Sequence, residues 1–409
     1  MPNPAPHRIE SLDLIRGIAV LGILAINIGG FAGPPAAILS PHIPAPGTVA
    51  DEIGFAVKFV LFEGKLRALF TLLFGAGMAM FIERAEANGR FGELLQIRRL
   101  GWVMVFGLLH FYLLWWGDIL FIYALAGILA LFMHEMAIKP MAIAALAAFL
   151  LWHLLSMAMG IPDLLAEEHV RTGMASSAEA ASHSAFLSAV EHSATRGIAN
   201  VSGSFLDSAT IRLTDQTFQP LTVALSSMGE TLPLMLMGMV LYRTGFFTGG
   251  WTRQRLLRMA WIGFASGLIL TLTILNWVWT RNFPLRAMQE VFLCWAAIPH
   301  LLMSMGYMAI LVLTAPYMLR SALGGRLVAA GKMAFSNYLG TTVMMTAIFY
   351  GWGLDLLNQY GHAWQWLFIA LGWLAMLSWS KPFLARYRRG PLEWVWRSLT
   401  EKRWLNNKL

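Results

Sequence analysis

The sequence predicts an all-α fold: a single polytopic transmembrane bundle over residues 1–409, with about ten spans and both termini cytoplasmic. Three observations predict it. Hydrophobic residues make up 57% of the chain and charged residues only 13%, with a mean hydropathy of +0.60. A soluble core would carry more charge and shorter apolar runs. Apolar runs close to the ~20 residues that cross a bilayer recur along the chain. Finally, the basic residues fall in alternate loops, the pattern of a cytoplasmic face. That alternation makes the +8 net charge a topology signal and argues against nucleic acid as a partner.

The predicted spans are 12–32, 65–83, 99–116, 118–134, 138–160, 219–242, 258–280, 290–314, 330–351 and 362–380. The first run is long, is interrupted by Arg16 and lacks a small-residue cleavage site, so it reads as a retained helix. The third and fourth meet at a turn around Gly117 and form a helical hairpin. Arg84, Arg90, Arg98 and Arg99, then Arg243 to Arg258, then Arg320 to Lys332, and finally the basic tail share one side if there are ten spans. The opposite side holds Asp51, Glu52, Asp355 and the 161–218 segment, an extracytoplasmic insertion between spans five and six. The single Cys294 excludes an intrachain disulfide.

Ionisable groups within spans are costly and mark sites by default. Asp13 and Arg16 are three residues apart on one face of the first span and are positioned to pair; an ion pair that sets insertion depth is the plainer reading. Asn27 lies further along that face. Lys65 and Arg67 precede the second span on the outer side, against the charge trend, either to bind an anion or to reach headgroups. Gly75 and Gly77 suit close helix packing. His110 lies deep in the third span, with Asp118 at the turn and Tyr123 early in the fourth. A tight hairpin brings Asp118 or Tyr123 beside His110, and a carboxylate would fix the imidazole tautomer and raise its basicity. The alternative is a histidine bonded to a carbonyl, with Asp118 capping the fourth helix. Ser336, Asn337, Tyr338, Thr341 and Thr342 give the ninth span a polar face, either interhelical glue or a substrate lining. His153 and His300 read as satisfied packing. No HxxH or CxxC spacing predicts a metal, and there is no GxSxG, P-loop or GxGxxG.

Five blocks in order, SLDLIRGIAVLGILAINI, GKLRALFTLLFGAG, RRLGWVMVFGLLHFYLLWWGDILFIYALAG, GKMAFSNYL and RRGPLEWVWRSLT, resemble the YeiB family of bacterial inner-membrane proteins. That family is more remotely similar to the transmembrane acyltransferases, both the acyltransferase-3 and the heparan-alpha-glucosaminide N-acetyltransferase types. The shared mark is Asp13, Arg16 and Gly17. The resemblance implies acyl-CoA as donor, its phosphates held by Arg98 and Arg99, and an acceptor, commonly a sugar, on the far side. Acyltransferase-3 members carry a histidine base where this chain has Asn27. The heparan-type enzymes have Asn followed by glycines, as in Asn27-Ile28-Gly29-Gly30, with a catalytic histidine in the next loop, where His42 stands here. Either His42 or His110 is then the base, or the acyltransferase function is absent; His110 is favoured because it lies in the strongest family block.

Two readings follow. In the first, His110, oriented by Asp118, deprotonates an acceptor, while Asn27 or Tyr123 stabilises the oxyanion. In the second, the same pair is the proton relay of a transporter or flippase for a small anionic or lipid-linked molecule. A third, non-catalytic reading uses 161–218 as a docking surface. The expected partners are membrane lipids and a small-molecule or glycan acceptor, with a homo-oligomer left open.

Overall fold

The computed structural model describes residues 10–44 and 47–409. Its long helices in chain order are α1 (Glu10–Ala32), α2 (Val49–Leu61), α3 (Lys65–Glu86), α4 (Gly92–Leu109), α5 (Leu120–Leu131) and α6 (Ile138–Thr172). There follow α7 (Ser177–Ser202), α8 (Phe205–Thr214), α9 (Gln219–Ser226), α10 (Met228–Arg243), α11 (Arg253–Trp279) and α12 (Leu285–Glu290). The chain continues through α13 (Ala297–Met318), α14 (Ala322–Lys332), α15 (Ala334–Phe349), α16 (His362–Leu384) and α17 (Pro391–Thr400). Among the described residues there is no β-strand; a lone bridge joins Tyr387 to Lys408.

The fold is the predicted helical bundle, and every predicted span is helical, but the number able to cross a membrane is smaller than ten. Among the described residues, seven stretches are long and apolar enough, or eight if α9 and α10, bent by 61°, act as one span. Segments 118–134 and 330–351 yield only α5, of 12 residues, and α15, of 16. At 1.5 Å per residue these cover ~18 and ~24 Å, short of a ~30 Å hydrocarbon core. A helix enclosed by neighbours can be apolar without spanning, so hydropathy alone over-counts. Seven and eight differ in parity, so the span count gives no independent support for placing both termini on one side.

Two contacts show how the sequence permits close packing. α1 crosses α14 backbone to backbone: a Cβ on Gly17 would lie 2.0 Å from the Leu327 carbonyl oxygen, and one on Gly331 would lie 1.8 Å from that of Asp13. α3 meets α10 likewise, with Gly75 against the Met235 carbonyl and Gly238 against that of Leu72. Small residues let helices approach where lipid tails supply no hydrophobic drive. Gly77 does not do this; its nearest neighbour is the Arg16 Nη2, at 4.0 Å. The outer faces of α6, α11 and α16 expose Leu151, Leu155, Trp261, Ile262, Ile269, Leu371 and Leu374. Apolar surface of this extent on satisfied helices fits a lipid environment.

The predicted span 138–160 does not stop there: α6 continues through Pro162 to Thr172. α7 and α8 follow, each opened by a capping box, Ser176 with Glu179 and Ser204 with Asp207. From α8, Arg212 donates through Nε to the Tyr112 carbonyl and through Nη2 to that of Leu113, both at 3.0 Å. Those carbonyls belong to the π-helical turn His110–Leu114 that ends α4. The 161–218 segment thus anchors the turn that carries His110.

Candidate functional site

The α4–α5 hairpin forms as its sequence suggests. A Cβ on Gly107 would sit 2.4 Å from the Phe121 backbone nitrogen, so glycine lets the two helices touch. α4 widens at His110 into the π-helical turn, a distortion common at functional sites. The expected juxtaposition is present: His110 Nδ1 lies 2.8 Å from Asp118 Oδ1. The other carboxylate oxygen accepts the Phe121 N–H at 2.7 Å. Asp118 therefore orients the imidazole and caps α5 at once, so the two sequence alternatives coexist.

The second ring nitrogen, Nε2, lies 3.1 Å from Thr342 Oγ1 on α15. In the tautomer whose Nδ1–H donates to Asp118, Nε2 presents its lone pair to the Thr342 hydroxyl. That hydroxyl also has the Tyr338 carbonyl within 3.2 Å. His110 is 1% exposed, and its ring lies 5.1 Å from that of Tyr338. Replacing Thr342 by valine keeps the shape and leaves Nε2 without this partner. The expected cost is about 1 kcal/mol, the scale of interhelical hydrogen bonds in membranes. Thermal unfolding in detergent checks it; an unchanged midpoint would contradict the bond.

A cavity of about 430 Å³ lies beside this pair. Its basic end is lined by Arg16, Arg84, Arg99, Lys332 and Arg397, with Asp13 and Glu393 among them. Those side chains come from the N-terminal turns of α1 and α4, the C-terminal turns of α3 and α14, and α17. The middle is apolar, with Val20, Ile23, Phe70, Phe74, Met78 and Val103; Tyr123 and Tyr338 also line it. Neither His110 nor Asp118 lines the cavity. Tyr338 touches both spaces and separates the pair from the cavity.

The basic end is built rather than incidental. Arg16 Nη1 pairs with Asp13 Oδ1 at 2.9 Å, as the spacing predicts. The Arg99 guanidinium is stacked between Phe81, 3.9 Å from the ring centre, and Trp396, at 4.6 Å. The Trp396 indole N–H donates to the Arg99 carbonyl at 3.0 Å, tying α17 to α4. Glu393 of α17 accepts the backbone N–H groups of Phe335 and Ser336 at 2.8 and 3.1 Å, capping α15.

Several predicted site residues lie elsewhere. Tyr123 does not join His110; its hydroxyl lies 2.6 Å from Thr71 Oγ1, because α5 turns that face toward α3. Lys65 reaches neither headgroups nor the cavity: it is fully buried and donates to the Phe59 carbonyl at 2.7 Å, folded inward at the start of α3. Arg67 Nη2 is held by both carboxylate oxygens of Glu230 at 3.2 and 3.1 Å. His42 pairs with Glu52 at 2.9 Å, a network apart from that of His110. Asn27 is half-buried on α1 and is absent from the hydrogen bonds of His110 and Asp118. Arg98 lies outside the cavity lining, whereas Arg99 is part of it. Asn337 is interhelical glue: it donates to the Ala330 carbonyl and to Ser380 Oγ and accepts from the Trp379 indole. His153 meets the Phe149 carbonyl at 2.8 Å, in line with a packing role.

Sequence reasoning missed Thr342 as the histidine's partner and Arg84, Lys332, Trp396 and Arg397 as cavity lining.

The class these features define is an α-helical membrane protein with a buried His–Asp pair beside a basic-ended cavity. Residues 241–403 match the family described as "Protein of unknown function (DUF418)". The chain is 27% identical over 397 residues to "Uncharacterized protein YeiB" of Escherichia coli (strain K12), covering 96% of each. It is 28% identical over 424 residues to "Uncharacterized protein YxaH" of Bacillus subtilis (strain 168), covering 98% of this chain and 96% of that one. A 130-residue stretch is 35% identical to an uncharacterized 39.9 kDa protein of Bacillus acidopullulyticus, 32% of this chain and 35% of that protein. No solved structure matches significantly. These matches make the chain similar to YeiB and YxaH over nearly its whole length, in line with the resemblance of its ordered sequence blocks.

Proposed function

We propose that this protein is an acyltransferase of the bacterial cytoplasmic (inner) membrane, with both termini cytoplasmic. It takes an acyl group from cytoplasmic acyl-CoA and passes it to an acceptor, a sugar or lipid-linked molecule, at the outer face. The observation that carries the reading is the cavity: a cationic end, an apolar middle and a lining tyrosine, Tyr338, whose ring lies 5.1 Å from that of His110 in the His110–Asp118 pair. An acyl-CoA has the matching order of groups, anionic phosphates, then a chain, then a thioester. The stacked Arg99 and its basic neighbours hold phosphate. The positive-inside rule puts that end in the cytoplasm, where acyl-CoA is made.

The chemistry then needs Tyr338 to swing aside. The acceptor hydroxyl takes the place of Thr342 on Nε2, and His110 removes its proton as oxygen attacks the thioester carbon. Tyr338 donates to the oxyanion. When the C–S bond breaks, the protonated Nε2 returns its proton to the departing thiolate, and Asp118 balances the imidazolium meanwhile.

Gly77 gives a direct test. A valine there points into open space, with only Arg16 Nη2 at 4.0 Å. The fold is expected to keep its melting temperature, while affinity for a long-chain acyl-CoA drops by about tenfold or more (~1.4 kcal/mol). Equilibrium binding in detergent reads this out. Affinity unaffected by Gly77→Val and by Arg99→Glu would remove the cavity from the proposal.

The second reading, transport of an anionic or lipid-linked molecule, is favoured by one feature: both histidine nitrogens are occupied and the cavity lining stops at Tyr338, as in an occluded carrier. Proton-driven uptake by proteoliposomes, lost in Asp118→Asn, with no thiol released from acyl-CoA, would select it.

A further inference from the structure

A second cluster lies away from the cavity, where the first turn of α4 meets the turn between α5 and α6. Glu93, His134 and Glu135 each bring one ligand atom there, all within 4.8 Å of one another. His134 is 6% exposed, while both glutamates are exposed. The imidazole is fixed: Nδ1 lies 2.8 Å from the Leu131 carbonyl. A carbonyl only accepts, so Nδ1 carries a hydrogen and Nε2 is the ring nitrogen open to a proton or a metal ion. Nε2 faces Glu93 Oε1 at 3.1 Å. A cation, proton or metal, belongs between these two atoms, and a third ligand group, the Glu135 carboxylate, stands beside them.

We propose that Glu93, His134 and Glu135 bind a divalent transition-metal ion, of the Zn²⁺ class. A proton on Nε2 would neutralise one of the two carboxylates; a divalent ion neutralises both. The separations suit it. Ligands at ~2.1 Å from a tetrahedral zinc stand ~3.4 Å apart, close to the His134–Glu93 distance of 3.1 Å, and all three ligand atoms lie within 4.8 Å of one another. An imidazole whose other nitrogen donates to a backbone carbonyl is the usual orientation of a histidine ligand. One nitrogen and two carboxylates favour zinc or manganese over magnesium, which takes an all-oxygen shell. Water fills the remaining positions on the exposed side. A neighbouring pocket, lined by Glu83, Glu86 and Arg243 as well as His134 and Glu135, gives the ion access. The ion would clamp the α5–α6 turn onto the start of α4. This site is independent of the acyl-transfer reading.

The test uses the full chain, purified in detergent and stripped with chelator, then titrated calorimetrically with Zn²⁺ and followed separately by the visible absorption of Co²⁺. The expected result is one ion per chain at this site, lost in His134→Ala and weakened about tenfold or more in Glu93→Gln and in Glu135→Gln. His134→Gln guards against misfolding, since its amide can still donate to the Leu131 carbonyl. His169→Ala, which removes the exposed His169–Glu179 pair, is expected to leave the binding intact. No uptake at ~100 µM Zn²⁺, or uptake of the same affinity and stoichiometry in His134→Ala and His134→Gln, overturns the proposal.

Discussion

His110→Ala is expected to lower acyl-transfer turnover by roughly 10²–10⁴-fold, the range of general-base help, while the protein still inserts and folds. Folding survives because Asp118, the partner left behind, keeps its bond from the Phe121 N–H and continues to cap α5. The cavity end is untouched, since neither residue lines it. Acyl-CoA affinity should therefore change little while the rate collapses, a split between kcat and KM that a merely structural histidine would not give. Asp118→Asn is the companion. An amide can accept from Nδ1–H or, turned over, donate to it and force the proton to Nε2, which destroys the base. Its loss should approach that of His110→Ala. The measurement is release of free CoA thiol by purified protein with an accepted sugar or lipid acceptor. Full turnover in His110→Ala would eliminate the histidine as the base, and His42, paired with Glu52 in its own network, would be the next residue to vary.

Gly331→Val is expected to give the largest loss of stability. A Cβ at this position would lie 1.8 Å from the Asp13 carbonyl oxygen and 2.7 Å from the Gly17 nitrogen, both backbone atoms of α1. No side-chain rotation relieves such a clash; α1 and α14 must separate. Overpacking typically costs ~1–3 kcal/mol and more where the backbone must move, so a cost at or above the top of that range is expected. Separation would also shift Asp13 and Arg16, and with them the basic end of the cavity. Gly340→Ala is the control, with nothing within 4 Å of its Cβ; it should be neutral or slightly stabilising, as alanine is the better helix former. Thermal unfolding followed by size-exclusion profile separates the two. A Gly331→Val protein as stable as the control would mean that the α1–α14 contact is looser than described.

The hairpin at Gly117 was legible because its signals are local: two apolar runs, a turn, and two ionisable residues eight positions apart. So was the Asp13–Arg16 pair, set by one helical turn. Lys65 was misplaced because hydropathy cannot tell whether a lysine at a helix start faces out or folds back onto the preceding helix, here α2 through the Phe59 carbonyl. Arg397 and Lys332 had no signal toward a cavity, since they are far apart in sequence and ordinary in composition. Sequence spacing gave no signal for the Glu93–His134–Glu135 cluster because its members come from two separate segments.

The sequence by itself determined the environment and the helices: apolar content this high leaves the backbone no solvent but lipid, and a chain in lipid must satisfy its own hydrogen bonds. Only the tertiary structure decided which apolar runs form helices long enough to cross a bilayer, that Thr342 rather than Tyr123 meets His110, and that five cations gather at one end of a cavity. Those outcomes depend on which helices touch, and helix contacts between distant segments are set by the fit of small residues at crossings, not by the period of any one segment.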